Sequence, residues 1–482
     1  MLGGLALRRL RTRPLWALVV IVPALLGVLI PRHHSLVAVA VLPVLLLLAG
    51  ALAGPSRWTV VLIALGTGMI GKPFTSKMAF GGSGIWLSDL LIAGAVAGLA
   101  VEWLLKPSHL RPRLPRSAVF GIPLLLFGLA IMLGAFRGHE RYGATLFGMP
   151  LRLVFYSAIV AALPGLTPSK ALRGLTFVMY GGALWLAGVA AYHIGTGTSA
   201  TSHLDLSTGG IRYIGIAAAT YAAAAFVLAI LNLSARRPRP LLHLAMALVS
   251  GFDVIVAYTR TIWLALTVIV IVAMLFSPQV RSAIVASIPI ATPLLVFGVL
   301  IVIASAPNLV STLTERVSTP ASQDTSVQWR QLAYQAVLSG TSEEPALGIG
   351  FGRTTSFSIN SMPNTITGDP HNGFIYVFAG AGAIGVAALI GLLLTFAAGA
   401  ARRWRDARGD ARTLVSWCFC TWLLVIVHAA SEPVFTTPSL IIVLWIAMAL
   451  PSIVPLRPRR RVALPVPEGT RPQRARSLAL VG

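Results

Sequence analysis

The strongest constraint on this chain is a succession of apolar runs, most of them close to 20 residues long. They fall at 14–30, 35–53, 58–71, 85–104, 117–136, 150–165, 172–193, 211–233, 240–258, 260–276, 283–305, 372–399, 413–430 and 437–455, separated by charge, Pro or Gly. About 20 apolar residues let a helix cross a bilayer. Backbone polar groups in hydrocarbon must pair within their own segment, so each run is expected to be helical. Of the 482 residues only 11% are charged and 56% are hydrophobic, against about 25% charged in an average soluble domain. Too few charges remain to cover a water-soluble fold of this size. The expected fold class is all-α, a polytopic integral membrane protein with about 12–14 transmembrane helices. The first run lacks a clear small-residue cleavage site and further spans follow at once, so it reads as a span, not a signal peptide.

Cytoplasmic loops of membrane proteins are enriched in Lys and Arg. With the Arg8, Arg9, Arg11 and Arg13 cluster placed inside and the spans alternated, 27 of the 38 basic residues fall on the cytoplasmic side, but only Glu102, Asp406, Asp410 and Glu468 among the acids. Both termini are then cytoplasmic. The chain divides into a basic N-terminus (1–13), a helix bundle (14–305), a long extracytoplasmic loop (306–371), C-terminal helices (372–456) and a basic, Pro-rich tail (457–482). The tail is expected to be disordered and drawn to anionic lipid. The net charge of +24 does not make this a nucleic-acid binder, because the bases sit in short clusters between apolar runs instead of along a soluble face. Cys418 and Cys420 lie within an apolar run with no second Cys or His pair at ligand spacing, so two inert thiols and no metal site are expected.

Polar chemistry concentrates at the outer ends of the helices. Tyr258-Thr259-Arg260-Thr261 is wedged between two apolar runs with almost no loop. A cation at that depth is costly unless it snorkels or is paired, so Arg260 is either a boundary residue or an inward-facing anion ligand. Ser326-Val-Gln-Trp-Arg330 opens an amphipathic stretch in the long loop, where Arg330 is either solvated or a second anion ligand. Asp369-Pro370-His371-Asn372-Gly373 precedes the next span. Histidine can accept a proton near neutral pH, and Asp369 and Asn372 are placed to orient it. Two guanidiniums suit a diphosphate, because the planar fork of arginine matches phosphate oxygens. A neutral imidazole beside them would take the proton of an attacking hydroxyl.

Three elements in order, Gly348-Ile-Gly350-Phe-Gly352, His371-Asn372 and Gly380-Ala-Gly382-Ala-Ile-Gly385, resemble the signature of the O-antigen ligase and polymerase family. Thr259-Arg260-Thr261-Ile-Trp263 is similar to that family's Ser-Arg element. The resemblance implies a membrane-embedded, inverting, metal-independent glycosyltransferase that needs no cofactor, in a bacterial inner or plasma membrane. Its donor would be a glycan on undecaprenyl or another polyprenyl diphosphate, and its acceptor a hydroxyl of a glycan, lipid or protein on the extracytoplasmic face. Carried over by motif, His371 is the base and Arg260 and Arg330 hold the diphosphate. Asn372, Asp369, Gly350, Asp253 and Arg212 complete the expected substrate-binding set. Arg212-Tyr-Ile-Gly215 is followed by Ile-Ala-Ala-Ala-Thr220, where the family often carries an Asn-Pro-Asn element.

Ligase, repeat-unit polymerase and protein O-glycosyltransferase share that donor site and stay open. The reading from another class is a flippase for lipid-linked glycans, which should hold its ionisable residues near the midplane at broken helices. Asp253 is an intramembrane carboxylate with Arg260 as its expected partner. Asp89 and Glu432 are outer-side acids expected to face water, and His33, His34, His139, His193 and His203 are expected to be interfacial. The glycines at 348–352 lack the Lys and Ser/Thr of a nucleotide-phosphate loop, so ATP use is not expected.

Overall fold

A computed structural model describes residues 57–70, 86–105, 107–114, 118–144, 148–198, 213–305, 318, 325–359, 362–367 and 370–456. The expected spans 14–30 and 35–53, the expected N-terminal segment and the expected tail lie outside these residues. The helices are α1 (Arg57–Ile70), α2 (Leu87–Leu105), α3 (Ile122–Tyr142), α4 (Met149–Phe155, continued by a 3₁₀ turn to Ala162), α5 (Pro168–Thr196), α6 (Ile216–Ser234), α7 (Pro240–Val256), α8 (Arg260–Phe276) and α9 (Pro278–Ser305). Then follow α10 (Thr325–Thr341), a hairpin of β1 (Thr354–Ile359) and β2 (Met362–Thr367), α11 (Gly373–Asp406), α12 (Asp410–Ala429) and α13 (Pro438–Ala449).

The protein is an all-α polytopic membrane protein. Six described helices are long and apolar enough to cross a bilayer, and the α8–α9 pair, bent by 113°, adds a seventh if it counts as one span. Four more apolar helices are shorter. The expected separate spans at 260–276 and 283–305 are therefore a sharply bent pair, and the expected span at 150–165 is α4 with its 3₁₀ continuation.

Helix α13 is the centre of the bundle. It is apolar on all sides, which suits only a fully enclosed helix, and every residue from Pro438 to Ala449 is buried. The Trp445 indole N–H donates to the Leu153 carbonyl at 2.7 Å, so its polar atom is satisfied. Beside it runs α6, where Ala222–Ala225 are almost inaccessible. Small side chains let neighbouring backbones approach closely, and Trp417 of α12 reaches the Ala224 carbonyl at 2.9 Å. The outward face of α3 does the reverse: Ile122, Leu125, Leu129, Met132 and Phe136 are exposed. An apolar exposed face of this kind is what lipid, not water, solvates.

Ion pairs tie together segments that the alternation puts on the same side. Arg57 meets Glu102 at 2.7 Å and Arg237 meets Asp410 at one end. At the other end Arg137 and Arg141 of α3 both meet Glu344 of the long loop, the latter at 2.8 Å. That second end is called the loop face below.

The described part of the long loop is folded into regular elements. Helix α10 realises the amphipathic stretch, and β1 pairs antiparallel with β2 from Thr354↔Thr367 to Ile359↔Met362. The expectation of a plain loop missed this hairpin. Behind it, Gly348, Gly350 and Gly352 all have φ between 70° and 98°, backbone that side chains other than glycine rarely adopt. They lead Phe351 into the seam between α3 and α11. There Ile349 N–H donates to the Ala379 carbonyl at 2.8 Å and Phe351 N–H to the Gly134 carbonyl at 3.1 Å. A Cβ on Gly134, Gly138 or Gly380 would overlap Phe351 or the facing backbone. Helix α11 breaks its dihedrals at Gly382 (φ 67°) where the loop presses in, and Ala383 N–H then donates to the Pro345 carbonyl at 2.8 Å.

Candidate active site at the loop face

Trp329 and Arg330 are neighbours on α10. A helix turns about 100° per residue, so the two side chains diverge. Trp329 packs edge-on to Phe357 of β1 (5.5 Å) and to the His371 ring (5.1 Å). Arg330 reaches across to α12's exit: its Nη2 donates to Glu432 Oε1 at 2.8 Å. One turn further along α10, the Tyr334 hydroxyl donates to the His371 carbonyl at 3.2 Å.

His371 is held by its backbone. Its φ is +59°, an uncommon conformation for a residue with a side chain, of the kind that clusters at functional sites. Asn372 caps α11, its Oδ1 accepting from the N–H groups of Phe374 and Ile375 at 3.0 and 3.1 Å. Its Nδ2 donates to the Ala430 carbonyl at 2.8 Å, tying the start of α11 to the end of α12. This clamp sets the His371 ring beside Glu432, with Nδ1 3.6 Å from Oε2. That separation is an electrostatic contact, not a formed hydrogen bond, and Oε2 accepts none from a described residue.

Glu432 thus serves two bases. It is 3% exposed while His371 is 40% exposed, so an accessible imidazole is backed by a buried carboxylate. Burial disfavours the charged carboxylate, but contact with His371 and the positive field of Arg330 outweigh it and hold Glu432 below its ordinary value. The expectation that Glu432 faces water is wrong, because the chain turns sharply at Pro433 and folds the acid inward under α10. The expectation for Asp89 fails too. Asp89 accepts from Arg152 Nε at 2.9 Å, the Tyr156 hydroxyl at 2.6 Å and the Trp86 N–H at 2.9 Å.

Arg260 opens α8 after Tyr258, whose φ is +51°. The next residue, Thr261, accepts a hydrogen bond from the Ser431 hydroxyl at 2.8 Å. The helix start that carries Arg260 is therefore docked on the residue preceding Glu432. Asp253 does not pair with Arg260. It is fully buried and its carboxylate oxygens accept no hydrogen bond from a described residue. Helix α7 ends at Val256, so Arg260 belongs to another helix and does not lie two turns further along the same face.

Gly350 is buried, with a hypothetical Cβ only 2.6 Å from Gly138 N. Its place is at the packed seam, on a cleft shared with Arg353 and Tyr376. Asn372 acts through the helix cap, and among the described residues Glu432 is the carboxylate beside the imidazole. Asp369 and Arg212 lie outside the described residues. Among the described residues no group of three or more His, Cys, Asp and Glu is arranged to hold a metal ion.

The site residue that sequence reasoning missed is Glu432. A signal was available: with 14 acids against 38 bases, an acid at the outer end of a span is scarce enough to be worth pairing with a base.

Residues 244–390 match the family model described as O-antigen ligase. That segment is of the O-antigen ligase family. It runs from α7 into α11 and contains Arg260, Arg330, the glycine loop and His371. Glu432 lies beyond the matched residues of the ligase-family segment. No curated protein matches the chain. The family's chemistry is glycosyl transfer at a membrane with a lipid-linked glycan as substrate.

Proposed function

We propose that this protein transfers a glycan from a polyprenyl diphosphate to an acceptor hydroxyl at the loop face, and that this face is extracytoplasmic in a bacterial inner or plasma membrane. The observation that carries the reading is the meeting of Arg330 and His371 on one buried acid, beside the docked start of the Arg260 helix, within or next to the ligase-family segment.

Two arginines near one membrane end suit a diphosphate, and fixed cations stabilise the charge that develops on a leaving phosphate. His371 Nε2 accepts the proton of the acceptor hydroxyl, whose oxygen attacks the anomeric carbon. The carbon–phosphate oxygen bond breaks and its electron pair leaves with the polyprenyl diphosphate. The proton remains on the imidazole until solvent removes it. A single in-line displacement inverts the anomeric centre, and because the donor carries its own leaving group, neither nucleotide nor metal is required.

Complementation of a deletion strain tests this. Wild type should restore the surface glycoconjugate, whereas His371→Ala should leave it absent with lipid-linked precursor accumulating. Full restoration by His371→Ala would discard base catalysis by this residue and move a flippase to the front.

A further inference from the structure

Glu432 divides its carboxylate between two partners. Oε1 is bonded to Arg330 at 2.8 Å, while Oε2 faces His371 Nδ1 at 3.6 Å with no hydrogen bond from a described residue. Closing that gap to an ordinary hydrogen bond takes a shift of about 0.7 Å. A buried carboxylate strongly favours having its acceptor sites filled. Two basic side chains compete for it at present, and one of them, Arg330, is a proposed ligand for the donor.

We propose that Glu432 is a positioning residue that couples donor capture to readying of the base. With the donor absent it holds Arg330. When the diphosphate takes the Arg330 guanidinium, Glu432 transfers its hydrogen bonding to His371 Nδ1–H. This fixes the tautomer that leaves Nε2 free for the acceptor hydroxyl. The charged or titratable groups facing Glu432 are Arg330 from α10, His371 before α11 and His428 from α12. Of these, Arg330 and His371 lie within 4 Å of its oxygens, whereas His428 makes no such contact and has its Nδ1 bonded to Thr220 at 2.9 Å, so the transfer takes place between the first two. The role rests on the donor site proposed above, and it predicts donor before acceptor.

The coupling makes affinity and rate move in opposite directions in Glu432→Gln, as a purely structural contact would not. Purified protein is titrated with farnesyl diphosphate, and transfer per folded molecule is followed in membranes that hold the native lipid-linked precursor. Glu432→Gln should bind farnesyl diphosphate about twofold to fivefold tighter, the equivalent of releasing one partly exposed ion pair. Its transfer should fall about 10-fold to 100-fold, as when a group that orients a reactive histidine is lost. Glu432→Asp keeps the charge on a shorter arm and should bind at wild-type affinity while transferring more slowly. It also serves if the Gln variant does not accumulate. Weaker binding in Glu432→Gln, or wild-type transfer in either variant, overturns the coupling. Arg330→Ala separates the two levels. If it weakens farnesyl diphosphate binding but Glu432→Gln does not tighten it, the donor site stands and the coupling falls. If Arg330→Ala leaves binding unchanged, both fall.

Discussion

Two buried or nearly buried acids near the loop face, Asp89 and Glu432, have the same partner type and different states of completion. Asp89 sits in a closed network: Arg152, Tyr156 and the Trp86 N–H fill both carboxylate oxygens. Helix α4, which carries Arg152, packs on the 3₁₀ turn 434–436 just after Glu432, so the two acids flank one connection. Glu432 has one oxygen bonded and the other waiting beside a histidine in left-handed backbone. A saturated buried network rigidifies, whereas an incompletely satisfied one calls for a functional explanation. The contrast assigns Asp89 to architecture and Glu432 to chemistry, though both would look alike as acids at a membrane boundary.

The largest effect that can test this division is on donor use. Arg330→Ala should lower transfer about 10²-fold to 10³-fold, as expected when a donor that stabilises developing charge is lost. Arg330→Lys should recover part of it, because Lys keeps the charge without the bidentate fork. Both are read as transfer per folded molecule, and wild-type rates in both variants would remove Arg330 from the site. Asp89→Ala should behave in the opposite way. Stranding Arg152 should cost about 3–5 kcal/mol of stability, measured by thermal unfolding in detergent, while the molecules that remain folded transfer normally. A rate defect in folded Asp89→Ala would erase the distinction between the two acids.

Much of the scaffold was legible in the sequence because a bilayer makes a local demand. Each span must be apolar and helical within its own residues, so α3, α5, α6, α11 and α12 stand out without knowledge of their neighbours. The amphipathic stretch opening at Ser326 likewise announced α10. What could not be read locally was pairing at long range: Arg330 and Glu432 are 102 positions apart, and only the fold decides that one acid turns inward at Pro433. The Arg260–Asp253 expectation failed for the opposite reason. Sequence nearness suggested a pair, but the helix break at Ala257–Thr259 separates them. Polar strands β1 and β2 were hidden because their Ser, Thr and Asn residues also suit loops. The glycines at 348–352 were seen as a motif, yet their packing against α3 depends on Gly134 and Gly138, more than 200 positions away.

That glycine seam offers a smaller test of how the loop is held over the site. In Gly138→Ala the new methyl group would meet the Phe351 backbone, and backbone yields less readily than a side chain. Overpacking of this kind should cost about 1–3 kcal/mol, seen as a lower unfolding temperature. Gly181→Ala on α5, where a Cβ would meet nothing within 4 Å, is the control and should be close to neutral. Equal stability of the two would mean the seam is looser than its geometry implies.

The smallest expected effect is on acid stability, and it distinguishes Glu432 as a charged group from Glu432 as a filler of space. Burial alone would raise its carboxyl, but His371 and Arg330 together hold it below its ordinary value. A carboxyl lowered on folding is charged in the native state at pH values where the unfolded chain already takes up a proton. Its contribution is therefore fully present above the ordinary carboxyl value and is lost as pH falls through the lowered one. Between about pH 5 and pH 3, a range that starts near the ordinary carboxyl value and runs below it, wild type should lose more unfolding temperature than Glu432→Gln, which has no proton to gain. The difference between the two curves isolates this group from the other acids of the chain. Parallel curves would mean that the Arg330 and His371 contacts do not stabilise the carboxylate, and Glu432 would then resemble a neutral packing residue more than a partner of the two bases.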